Sequence, residues 1–223
     1  MMNANVLRGI ILALALPLAA AQEEGLSARM AAAGLVDVQS LEPSIRVELK
    51  YATTDNFMHT AAYGDLRTCY LQPEVAEMVA RAQRLLRKQH PGWALKVFDG
   101  ARPRRVQRIM WAIVKGTDMQ KYVTSPERGS IHNYGSAVDL TMTDAKGREL
   151  DMGTPYDFLG DLAQPRYEAR FLKEGRLTAA QVQHRAWLKE LMVSVGFAPI
   201  PNEWWHFDAF PREVVQARYQ ILE

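Results

Sequence analysis

The chain has 223 residues, 27 Lys and Arg against 25 Asp and Glu, five histidines and a single cysteine. A net charge of +2 gives no electrostatic reason to expect nucleic acid or an anionic membrane as partner. One cysteine excludes an internal disulfide, so stability must come from a core, which about 200 residues suffice to build as one domain, and from any metal held.

The first predicted element is a targeting segment. Arg8 precedes an apolar run from Gly9 to Ala21, and Ala19-Ala20-Ala21 stands before Gln22. This pattern predicts a signal peptide over residues 1–21, cleavage, and export to a periplasm or the cell exterior. The apolar run is short for a membrane span, and no cysteine follows the cut to carry a lipid. The mature chain, residues 22–223, is therefore expected to have no stable membrane association.

Further along, Leu26 to Ala33 reads as a short helix. Ile45 to Tyr51 alternates apolar and polar residues and reads as a strand. Cys69, in an apolar-leaning stretch, reads as a packed thiol rather than a nucleophile. Pro73 to Lys88 is the clearest helix, with Pro73 in its first turn and Val75, Met78, Val79, Ala82, Leu85 and Leu86 on one face. Pro91-Gly92 breaks the chain. Ala94 to Phe98 reads as a strand leading into Asp99-Gly100-Ala101-Arg102-Pro103, and Arg105 to Val114 as a helix. Ala137 to Thr141 is a short apolar strand, Asp144 to Gly147 a hairpin turn, and Thr178 to Val195 a long helix closed by Gly196. Glu203 to Phe207 reads as a strand. Helices and strands do not alternate in a βαβ rhythm, which predicts an α+β single domain with a central, mostly antiparallel sheet flanked by helices.

Two segments carry the chemistry. The first runs from Ser130 to Asp139 and contains His132; the second is Glu203-Trp204-Trp205-His206. Two imidazoles and a carboxylate could bind a metal, and a spare carboxylate could serve as base. Gly135 and Val138 argue for a loop entering a strand between His132 and Asp139. Glu203 and His206 conflict with a regular strand, because odd spacing sends side chains to opposite faces. His59, His90 and His184 read as loop or surface residues. There is no Gly-x-Ser-x-Gly elbow, no His-Glu-x-x-His helix and no phosphate-binding glycine loop.

These residues, Ser130-x-His132-x-x-Gly135-x-Ala137-x-Asp139 followed by Glu203-Trp204-Trp205-His206, resemble the zinc D-alanyl-D-alanine dipeptidases. That group lies within a broader family of D-Ala-D-Ala metallopeptidases. Three further segments carry the likeness: Tyr51 to Phe57, Asp99 to Pro103, where Ala101 replaces a common aromatic, and Met152 to Phe158. The resemblance implies an α+β fold and one zinc ion per chain held by His132, Asp139 and His206. It implies Glu203 as general base and Arg102 as partner of the oxyanion, with Asp99 supporting Arg102. Asp157 and Ser130 would bind the free amino end of a small dipeptide, with Tyr51 lining the pocket. The activity implied is hydrolysis of D-alanyl-D-alanine by metal-activated water. The alternative is a murein carboxypeptidase or endopeptidase taking longer peptides. A non-catalytic zinc- or peptidoglycan-binding module is a third possibility, against which the spare Glu203 speaks.

Overall fold

The structure is a computed structural model and describes residues 25–223. The signal peptide expected over residues 1–21 lies outside the described residues. In chain order the elements are α1 (Leu26–Ala32), β1 (Val36–Asp37), α2 (Val38–Leu41), β2 (Arg46–Val47), β3 (Tyr70–Leu71), α3 (Pro73–Gln89), β4 (Ala94–Asp99), α4 (Arg104–Val114), β5 (Ala137–Thr143), α5 (Glu168–Lys173), α6 (Ala179–Ser194), β6 (Ala198–Pro199), β7 (His206–Asp208) and α7 (Arg212–Arg218). Among the described residues no helix is long and apolar enough to cross a membrane.

A five-stranded sheet in the order β2–β4–β5–β7–β6 organises the domain, and β1 and β3 form a separate pair. Within the larger sheet only β2–β4 is parallel; the other three pairings are antiparallel. The expected α+β class with a mostly antiparallel sheet is what the chain adopts. All seven residues of β5 are buried. This central strand is covered on both faces, so its polar positions Asp139, Thr141 and Thr143 are buried along with its apolar ones. Asp139 is the one ionisable residue within it.

α3 packs its Val75, Met78, Val79, Ala82 and Leu86 inward, while Leu85, placed on the same face by the sequence, is 38% exposed. Gln83 is buried instead. Its Oε1 accepts from Leu95 N at 2.6 Å and its Nε2 donates to Trp93 O at 3.2 Å, fixing the start of β4. α6 begins with a capping box, in which Thr178 accepts from Gln181 N and Gln181 from Thr178 N. Its buried Arg185 donates to Met152 O at 2.7 Å and Leu162 O at 3.1 Å. That side chain pins both ends of the loop that carries Tyr156 and Asp157.

Two strand expectations need correction. The strand at Ile45 to Tyr51 is only Arg46–Val47, and Lys50–Ala52 is a 3-10 turn closed by Ala52 N donating to Leu49 O at 3.0 Å. This turn rolls the buried Tyr51 over the end of the sheet. The strand at Glu203 to Phe207 is His206–Asp208, so Glu203 precedes it in irregular chain. The conflict over the odd spacing of Glu203 and His206 disappears, because the alternation rule applies only inside the strand.

Candidate active site

Sheet register builds the core of the site. β4 pairs with β5 so that Asp99 stands opposite Asp139, after a shift in register following Val97. β5 pairs with β7 so that Asp139 stands opposite His206. Directly opposed residues share a face, which lines up Asp99, Asp139 and His206 across three strands. His132 arrives from the 3-10 turn Ile131–Tyr134 that feeds β5. Ser130 starts this turn, its N–H donating to Asn133 Oδ1 at 2.7 Å. Gly135 ends the turn at φ 66°, a left-handed conformation that glycine adopts without strain.

The three residues converge and are buried. His132 Nε2 lies 3.2 Å from Asp139 Oδ1 and 3.1 Å from His206 Nδ1, and His206 Nδ1 lies 3.0 Å from Asp139 Oδ1. The opposite nitrogen of each ring is committed as a donor. His132 Nδ1 donates to Gly100 O at 2.8 Å, and His206 Nε2 donates to Asp208 Oδ1 at 2.9 Å. The inward nitrogens of the neutral rings therefore present lone pairs, as does Asp139 Oδ1. In that neutral form the three inward atoms are all acceptors, and together they form a donor set for a cation. Their ligand atoms all lie within 4.8 Å of one another. Gly100 is required here for a steric reason as well. A Cβ at that position would lie 2.6 Å from Cys69 Sγ and 3.0 Å from Tyr70 O. Cys69 is the packed thiol expected.

Arg102 is buried, and its guanidinium is largely spoken for. Nε and Nη2 donate to Asp99 Oδ2 at 2.8 and 2.5 Å, and Nη1 donates to Gln107 Oε1 at 3.0 Å. One Nη2 hydrogen remains, and Nη2 sits 3.8 Å from Asp139 Oδ2. Burial opposes the charge on Arg102, and Asp99 more than compensates, so the group stays protonated. Asp99 is itself held by the Tyr63 hydroxyl.

A cavity of about 260 Å³ opens on the triad and is lined by Tyr51, Arg102, Ser130, Asp157, Glu203 and Trp205 as well as by His132, Asp139 and His206. Eight of the nine residues singled out in the sequence line it; Asp99 lies beneath Arg102. Burial pushes the Glu203 carboxyl up to about 8, an effect that the nearby His206 offsets in part. Burial likewise pushes Asp157 up to about 7, against the Tyr51 hydroxyl, which donates to its Oδ1 at 2.8 Å. Asp157 adopts φ 62°, an uncommon backbone for a non-glycine residue. Its Oδ2 is buried and accepts no well-formed hydrogen bond, although the Phe57 N–H is near enough to the carboxyl to favour its charge. Such an orphaned acceptor, held by a strained backbone, marks a place for a donor from outside.

Asp139 behaves in the opposite way. Burial works against its charge, but His132 and His206 hold it well below the usual carboxylate range. His206 is disfavoured as a cation by burial and raised on balance by Asp208 and Asp139. A pH dependence follows for chelator-treated protein. Glu203, Asp157 and His206 all have folded pKa values above their unfolded ones. Each contributes stability that is fully present below the unfolded value, ~4 for the carboxyls and ~6.5 for the imidazole, and is lost as pH rises through the folded value. Asp139 acts with the opposite sign, but only below pH ~4. The melting temperature of the metal-free protein should therefore fall between pH 5 and pH 8. A flat or rising profile would count against the burial of these groups.

Sequence reasoning missed Tyr156, which donates to Asp139 Oδ2 at 3.0 Å, and Asp208, which orients His206. Asp208 was discoverable, since positions two apart in a strand share a face. His90 stacks on Trp93 with ring centroids 4.4 Å apart, and His184 bonds Asp151 O at 2.8 Å; neither lines the cavity, and His59 is exposed.

The family described as D-ala-D-ala dipeptidase, a peptidase family, matches residues 31–222. A D-alanyl-D-alanine dipeptidase of Escherichia coli (strain K12) is 32% identical over 174 residues, covering 78% of this chain and 83% of that protein. One from Enterococcus faecalis is 27% identical over 191 residues, covering 78% and 90%. A solved structure of the LdcB LD-carboxypeptidase is a more distant likeness, with a TM-score of 0.40 and 21% identity over 66% of this chain and 63% of that one. With its family matched from Met30's neighbour to the penultimate residue, this chain belongs to the D-Ala-D-Ala dipeptidase family of peptidases.

Proposed function

We propose that this protein is a zinc-dependent dipeptidase that hydrolyses D-alanyl-D-alanine to two molecules of D-alanine. The observation that carries this reading is the buried His132–Asp139–His206 triad, opening on a cavity that also holds a carboxylate with one unpartnered oxygen, Asp157 Oδ2. Two imidazole nitrogens and one carboxylate oxygen, with the cavity on the remaining side, match the ligands of a catalytic zinc ion. When bound, zinc supplies Lewis acidity: it acidifies a water molecule and polarises the peptide carbonyl.

The protein's own groups do the rest. Glu203 receives the proton of the attacking water and passes it to the nitrogen of the leaving D-alanine. Burial pushes the Glu203 carboxyl up to about 8, and a cation held by the triad would draw it back towards the range suited to a base at neutral pH. Arg102 keeps its charge and directs its spare hydrogen towards the negative oxygen that forms on attack. Asp99 and Gln107 hold Arg102 in place for this. Asp157 receives the ammonium end of the substrate, with Ser130 and Tyr51 shaping that pocket. The cavity, at about 260 Å³, is below the ~300–1,000 Å³ of sites for drug-sized ligands, which suits a dipeptide.

A second reading, cleavage of longer wall peptides, draws on one observation. A largely apolar groove of about 490 Å³, walled by Pro199, Pro201, Trp204 and Phe207, shares Ile200 and Glu203 with the cavity. The proposed export signal would also place the enzyme near peptidoglycan. An exported dipeptidase cannot drain a cytoplasmic precursor pool, so recovery of D-alanine or wall turnover is the proposed role. The deciding experiment offers purified protein the free dipeptide and an N-acylated pentapeptide side by side, with and without chelator. Chelator-sensitive cleavage of the dipeptide at the higher rate is expected. Faster cleavage of the pentapeptide would replace the dipeptidase reading with the second one.

A further inference from the structure

The two ends of the cavity are joined by an unbroken chain of oxygen atoms. Asp157 Oδ1 lies 2.8 Å from the Tyr51 hydroxyl. The Tyr51 hydroxyl lies 3.1 Å from the Tyr156 hydroxyl, which lies 3.0 Å from Asp139 Oδ2. Asp139 faces His132 and His206 with its other oxygen, Oδ1. One end of the chain is thus the carboxylate with an orphaned oxygen, and the other is a member of the triad.

The hydrogens in this chain are too few. Three oxygen–oxygen contacts separate two carboxyl groups, and the tyrosines bring one hydrogen each. With both carboxylates ionised, the Tyr51 hydrogen goes to Asp157, and the Tyr156 hydrogen is shared between Tyr51 and Asp139. With a proton on Asp157 every contact is filled, and Tyr156 donates fully to Asp139. An ammonium group arriving at Asp157 Oδ2 favours the first pattern, so what binds at one end alters the hydrogen bond at the other. The ring of Tyr156 is held for this by Phe98 and Trp205, with centroids 4.9 and 5.3 Å away.

We propose that Tyr156 is a positioning residue whose hydroxyl couples recognition of the substrate's amino group at Asp157–Tyr51 to the orientation of the metal-binding carboxylate Asp139. This rests on the proposed roles of Asp157 and the triad. The hydroxyl restrains the non-ligating oxygen of Asp139 and so presents Oδ1 to the ion. Outer hydrogen bonds of this kind set metal affinity by roughly 10- to 100-fold.

The test uses the full chain loaded with zinc. Wild type, Tyr156→Phe and Tyr51→Phe are titrated with a chelator while bound zinc is measured, and each is assayed on D-alanyl-D-alanine and its N-acetyl derivative. Phenylalanine keeps the ring and its packing, and melting of the metal-free proteins checks that both variants fold. Tyr156→Phe is expected to lose zinc at about tenfold lower chelator activity. Its preference for the free dipeptide should also shrink severalfold. Tyr51→Phe keeps the Tyr156–Asp139 bond and should lose preference while holding zinc as tightly as wild type. Unchanged zinc affinity in Tyr156→Phe, with the wild type binding zinc normally, would overturn the coupling and leave the dipeptidase reading standing. A wild type that holds no zinc would overturn both.

Discussion

Glu203→Ala is expected to lower kcat on D-alanyl-D-alanine by roughly 10²- to 10⁴-fold, the usual worth of a positioned acid–base group. In barrier height this is ~3–5 kcal/mol. The protein should keep its zinc, because Glu203 is outside the cluster formed by His132, Asp139 and His206. It should also fold, since Glu203 lies outside the helices and strands just before β7, and burial disfavours its carboxylate. His206→Ala makes the contrast. It removes a ligand atom, and leaves Asp139 buried without a main partner. Zinc content and activity should fall together in that variant. Activity surviving in Glu203→Ala would remove Glu203 from the chemistry, and full zinc occupancy in His206→Ala would remove His206 from the ligands.

The separation of those two outcomes depends on where the residues sit, and the sequence shows only part of that. Helix α3 and strands β4 and β5 were readable because their burial follows local pattern: Pro73 opens a helix, and Val138 and Leu140 give the stretch from Ala137 to Thr141 an apolar face. The row Asp99, Asp139, His206 was not readable, because it depends on strand register, and that is set by pairing between segments distant in the chain. Tyr51 was assigned to a strand by its alternation with Leu49 and Val47. An edge strand with one neighbour has little to hold it extended, and the chain instead turns at Lys50–Ala52. Tyr156 went unnoticed because nothing in Thr154-Pro155-Tyr156-Asp157 distinguishes a packed ring from one whose hydroxyl touches a distant carboxylate. Leu85 looked like a core residue by period alone, while Gln83 is buried because two backbone groups at the start of β4 need it. The chemical residues were legible as types, and their geometry came from tertiary pairing.

Asp157→Asn is the sharpest test of the proposed preference for a free dipeptide. Asparagine tolerates positive φ better than most residues, so the backbone at φ 62° need not move as it would for alanine. Its side-chain oxygen can still accept from Tyr51. What disappears is the negative charge on the side of the orphaned Oδ2. A hydrogen bond to a charged group contributes ~1.5–3 kcal/mol, so kcat/KM for the free dipeptide should fall by about 10- to 100-fold. The N-acetyl dipeptide has no ammonium to lose, and its slow cleavage should be unchanged or improved, because it no longer strands a buried carboxylate. The ratio of the two rates is therefore more informative than either rate alone. A parallel fall for both substrates would mean that Asp157 shapes the cavity and the amino group is recognised elsewhere. A collapse of the ratio with the N-acetyl rate preserved would assign dipeptide selectivity to the charge of this one side chain.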